Sequence, residues 1–69
     1  MQQEDIKQRL RAQLAQLKQE HRDLDSAIAS LEETMRPDQL QLKRLKKRKL
    51  HLKDEIARVE DELFPDIIA

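Results

Sequence analysis

Sixty-nine residues with 14 basic and 14 acidic side chains, no Gly, no Cys and a single aromatic exclude a nucleotide-binding fold or a barrel and predict one small unit. With 41% of residues charged and few β-branched residues, the composition is that of a long helix or coiled coil rather than a sheet. The absence of cysteine removes disulfides and thiolate metal sites.

The amino terminus, Met1-Gln2-Gln3-Glu4-Asp5, is polar and acidic where a secretory signal would be basic and then apolar. No apolar run approaches the roughly 18 residues of a membrane span. A cytoplasmic protein without a membrane span is expected.

From Leu10 the apolar positions run Leu14, Leu17, Leu24, Ile28, Leu31 and Met35, in alternating steps of four and three once His21 is counted as a seam position. This predicts a first helix over about 4–34. Met35-Arg36-Pro37-Asp38 follows, and Pro37 disfavours helical geometry at Arg36 and lacks a backbone donor, which places a turn at 35–38. Asp38, with Gln41 three residues later, reads as an N-cap with a capping-box partner. A second helix then runs over about 39–64, where Leu42, Leu45, Lys49, Leu52, Ile56, Val59 and Leu63 repeat the rhythm. The tail 65–69, Pro65-Asp66-Ile67-Ile68-Ala69, follows a helix stop and either folds back over the helices or docks elsewhere.

Folding the two helices back on each other pairs Leu31 with Leu42, Ile28 with Leu45, Leu24 with Lys49, His21 with Leu52, Leu17 with Ile56, Leu14 with Val59 and Leu10 with Leu63. The midpoint of that pairing falls between Arg36 and Pro37, where the turn chemistry independently lies. The expected fold is therefore all-α, an antiparallel two-helix hairpin of coiled-coil type. The competing reading is one long helix kinked at Pro37 in a parallel dimer, at a cost of about 3 kcal/mol for the proline. Each helix breaks its seam once, at His21 and at Lys49. Lys49 can pack its stem and send its ammonium towards Glu20 or Asp25, so the polar pair is expected to fix register at some cost in stability.

A two-helix seam only half-buries its residues, and below about 70 to 80 residues a single core rarely supplies more than a few kcal/mol. Leu50, Ala57 and Phe64 recur every seven residues away from the seam, with Leu40 nearby, and Ala15 and Ala29 form a smaller face on the first helix. These residues predict self-association into a helical bundle, as a dimer or a tetramer.

No catalytic constellation is present: Ser26 and Ser30 lack a neighbouring base, and Glu32, Glu33, Glu60, Asp61 and Glu62 are what a solvated helix face carries. His21 and His51 project to different sides and no Glu-x-x-His motif occurs, so neither a metal nor a cofactor is expected. The conspicuous charge feature is the segment Lys43 to Lys53, with seven basic residues in eleven and no acid. Lys43, Arg44, Lys46, Lys47 and Arg48 could track phosphates, which gives a nucleic-acid-associated reading. Against it stand the zero net charge, the lack of stacking aromatics and the facing acids Glu20, Asp23, Asp25, Glu32 and Glu33. The first-choice reading is a small non-enzymatic module that binds itself and a protein partner through helix faces.

Glu20-His21-x-x-Leu24-Asp25-x-x-Ile28, the run Leu42-Lys43-x-Leu45-Lys46-Lys47-x-Lys49-Leu50-x-Leu52-Lys53-Asp54-Glu55-Ile56 and the ending Pro65-Asp66-Ile67-Ile68-Ala69 resemble the YdcH-like family of short bacterial proteins. The resemblance covers nearly the whole chain. It implies a small cytosolic helical hairpin with no assigned activity, and places His21, Lys49 and Asp54 within the family pattern.

Overall fold

A computed structural model describes residues 2–64 and forms two helices, α1 (Gln2–Glu32) and α2 (Gln39–Leu63), packed antiparallel along one another. The kinked single helix does not occur. The tail 65–69, for which the sequence offers two roles, lies outside the described residues.

The seam follows the heptad rhythm. Leu17, Ile28, Leu42, Leu52, Val59 and Leu63 are buried, and Leu10, Leu14, Leu24, Leu31, Leu45 and Ile56 are half-buried beside them. Leu17, Leu52, Val59 and Leu63 form the core cluster, so the hydrophobic centre of gravity lies in the half of the hairpin away from the turn. A two-layer structure of extents 53 × 24 × 15 Å has room for one row of side chains between its helices, which is why half of the seam stays partly open to water.

The rhythm fails at Met35, which is 99% exposed rather than part of the seam. α1 stops at Glu32, short of the expected 34. Glu33 closes the helix by donating its backbone N–H to Ala29 O (3.1 Å), and the Thr34 N–H and Oγ1 both donate to Leu31 O (3.3 and 2.8 Å). With the helix over by Glu32, spacing counted along α1 no longer places Met35 over the seam. On the far side of the turn Asp38 is extended at φ −73°, ψ 104°, and its carboxylate accepts from the N–H groups of Leu40 (3.0 Å) and Gln41 (3.1 Å). Two of the four orphan donors that open α2 are thereby satisfied.

Candidate functional site: a polar seam step, a basic ridge and an open stripe

Charge is ordered along both helices. In α2 the basic residues fill the first half and Asp54, Glu55, Glu60, Asp61 and Glu62 gather in the second, while Glu20, Asp23, Asp25 and Glu32 lie in the second half of α1. At their starts both helices suit the macrodipole, with Glu4 and Asp5 in the first turn of α1 and Asp38 capping α2, but the acids Glu32 and Glu60 to Glu62 at the C-terminal ends oppose it. Antiparallel packing offsets that cost by setting each basic half beside an acidic one. Four ion pairs cross between the helices: Lys49 Nζ with Asp25 Oδ1, Lys46 Nζ with Glu32 Oε2 (3.4 Å), Lys18 Nζ with Glu60 Oε2 (3.6 Å) and Arg48 Nη2 with Glu20 Oε2 (3.7 Å).

The two polar seam residues meet at one carboxylate. Lys49 and His21 are both half-buried; Lys49 donates to Asp25 Oδ1, and His21 Nδ1 lies 3.5 Å from Asp25 Oδ2. The hydrogen bond from Lys49 holds the Asp25 carboxyl below its ordinary value of 3.8; desolvation opposes this, and the charges of Lys49 and then His21 add to the lowering. Of the two acids within sequence reach of Lys49, Asp25 is the one engaged, because Glu20 lies on the other side of α1 and takes Arg48.

Neutralisation of the basic segment is partial. Lys46, Arg48 and Lys49 are engaged with Glu32, Glu20 and Asp25, whereas Lys43, Arg44 and Lys47 are exposed and form no ion pair among the described residues. Asp23 forms no ion pair with this segment among the described residues; it accepts from Gln19 Nε2 within α1 (2.9 Å). Arg44, Lys47, Arg48 and His51 line a shallow, open surface on one side of α2.

The stripe read as an oligomer interface is exposed among the described residues. Leu50 is 63% exposed and Phe64 45%, with Ala57 exposed between them, and Leu40 is exposed near the turn. Beside Leu50 an open groove of about 560 Å³ runs across the hairpin, with Leu50 and Ile56 as its apolar part and Lys18, Arg22, Lys49 and Lys53 around them. Residue spacing within α2 did not reveal this groove, since Lys18 and Arg22 come from α1. Heptad positions on both helices, taken together, would have found it.

Among the described residues no three His, Asp or Glu side chains cluster as metal ligands, and no helix is long and apolar enough to cross a membrane. The family model described as a protein of unknown function (DUF465) matches residues 14–60, spanning the seam, the turn and the basic segment. The chain belongs to the DUF465 family. The YdcH-like family is a DUF465 family, in agreement with the resemblance carried by Glu20 to Ile28 and Leu42 to Ile56. Neither a curated protein nor a solved structure matches this DUF465 chain. In the DUF465 match both polar seam residues, His21 and Lys49, lie inside the matched region.

Proposed function

We propose that this DUF465 hairpin is a non-enzymatic interaction module that self-associates through Leu50, Ala57 and Phe64 and presents its remaining helix faces to a protein partner. The observation that carries the reading is the pair of large apolar side chains, Leu50 and Phe64, left in water on a helix whose other face is already packed. A single two-helix seam gives a thin core, and a second layer is how small helical units gain burial. The cytoplasmic location that the YdcH-like resemblance implies is part of the same proposal. Sedimentation equilibrium from about 1 to 100 µM tests it: a mass rising with concentration supports the reading, and a fully helical monomer throughout rejects it.

A second reading rests on a different observation: Lys43, Arg44 and Lys47 are exposed and form no ion pair among the described residues. These three residues form a basic ridge that would contact nucleic-acid phosphates. Binding would then be strongly salt-dependent, and Arg44→Glu with Lys47→Glu would abolish it while leaving helicity intact.

A further inference from the structure

Leu50, Ala57 and Phe64 lie on one line along α2, with the smallest of the three in the middle. Phe64 stays on that line although it is the C-cap, because its N–H still donates to Glu60 O at 2.8 Å. A two-fold axis at Ala57 therefore places Leu50 of one copy opposite Phe64 of the other, and Phe64 opposite Leu50. We propose that the occupant of the groove is a second copy of this chain: α2 pairs antiparallel with its counterpart, Ala57 sits on the axis, and each Phe64 seats against Leu50 and Ile56 of the other copy. The proposal rests on the self-association reading and specifies its geometry.

Three features fit together in this arrangement. Shape is the first: the chain has one aromatic side chain, it is exposed, and the groove beside Leu50 is apolar at its floor and large enough to take a phenyl ring. Ala57 facing Ala57 lets the two helix backbones come close enough for that insertion. Charge is the second. Phe64 is preceded by Asp61 and Glu62, which form no ion pair among the described residues, whereas the groove rim carries Arg22 and Lys53 beside Lys18 and Lys49, which engage Glu60 and Asp25 of their own chain. With Phe64 opposite Leu50, Asp61 of one copy comes level with Lys53 of the other. A parallel pairing would instead align Lys46 to Lys53 with the same residues of the second copy, placing like charges side by side. Symmetry is the third, since a stripe that maps onto itself closes as an isologous dimer and leaves no stripe free to propagate a filament.

Leu50 to Phe64 spans about 21 Å of helix at 1.5 Å per residue, a short contact that predicts an affinity in the micromolar range rather than an obligate dimer.

Cysteine pairs test the geometry directly, because the native chain contains no cysteine and each introduced thiol reports alone. The three positions are exposed, so substitution leaves the seam intact. At about 100 µM protein under a mild oxidant, Ala57→Cys is expected to link to itself, since a disulfide requires Cα atoms within about 7 Å. Leu50→Cys alone and Phe64→Cys alone should link poorly, and their mixture should give roughly tenfold more of the mixed dimer than either gives of its own. A charge exchange guards against loss of packing in those variants. Leu50→Glu and Phe64→Lys should each weaken association about tenfold, and the double variant, which places each new Glu opposite a new Lys, should recover it.

Efficient self-linking of Leu50→Cys and Phe64→Cys without mixed product would establish the parallel pairing and overturn the proposal. So would a wild-type dimer in which Ala57→Cys fails to link, because another face would then be buried. A wild-type monomer overturns the self-association reading itself and the geometry with it.

Discussion

Leu50 and Leu52 are two residues apart on the same helix and have opposite surroundings: Leu52 is 4% exposed in the core cluster, and Leu50 is 63% exposed on the outer stripe. Both belong to rows of heptad spacing. The row through Leu52 is continued by Leu45, Ile56, Val59 and Leu63 and is covered by α1, whereas the row through Leu50 runs through Ala57 and Phe64 and is exposed among the described residues. The spacing marks a helix face as suited to packing, and the chain's own second helix can cover only one such face. A second apolar row on a short hairpin is therefore a statement about association, and the contrast between the two leucines gives the means to test it.

The largest expected effect separates them by truncation. Leu52→Ala should destabilise the hairpin by about 2 to 4 kcal/mol, the range for removing a buried leucine side chain, at every protein concentration. Leu50→Ala should lower stability only where the protein is associated, and its effect should vanish on dilution, since it acts through binding of the native state. Denaturation curves for both variants at two concentrations, fifty-fold apart, check this. Equal, concentration-independent losses would erase the distinction between seam and stripe.

Asp38→Ala comes next, at about 1 kcal/mol, because two N–H groups at the start of α2 lose their acceptor; Asp38→Asn should keep most of the stability. Thermal unfolding followed by circular dichroism measures both. Of similar size and opposite sign is Lys49→Leu, which completes the apolar seam and should raise the melting temperature by about 4 °C or more, given the steep dependence of Tm on free energy in domains of this size. The same change removes the polar step that fixes register, so sedimentation should show a broader range of species. An unchanged Tm together with an unchanged mass distribution would show that Lys49 does not set register.

The smallest effect lies in acid. Asp25 has a folded-state carboxyl pKa below that of the unfolded chain, so the unfolded state binds more protons in the interval between the two. The stability that Asp25 contributes is fully present above the ordinary carboxylate range, near pH 5 and higher, and is lost as pH falls through its lowered folded value. Stability measured from pH 6 to pH 2 should therefore fall less steeply in Asp25→Asn than in wild type. Parallel profiles would remove the Lys49–Asp25 contact from the account.

Much of this hairpin is legible in the sequence because its determinants are local. Steps of three and four from Leu10 to Leu31 and from Leu42 to Leu63 follow directly from helical geometry, and Pro37 with Asp38 encodes the reversal between them. Met35 shows what periodicity omits: it counts spacing and is blind to where hydrogen bonding stops, here at the Thr34 bonds to Leu31 O. The acids around Lys49 show a second gap. Glu20 and Asp25 are both within reach in sequence, but they point to opposite sides of α1, so the choice between them depends on which face of each helix is turned towards the other. The groove beside Leu50 was hidden for the same reason, since it is assembled from two segments of the chain and has no signature in either one.

The central claim is that the outer stripe is an interface, and the most direct test is sedimentation equilibrium on wild type and Leu50→Glu at the same concentrations with helicity monitored alongside. The account predicts that wild type passes from the 8.2 kDa chain mass towards twice that value over the micromolar range, while Leu50→Glu remains at the chain mass. A wild-type protein that stays monomeric and fully helical at 100 µM, or a Leu50→Glu variant that associates as wild type does, would contradict it.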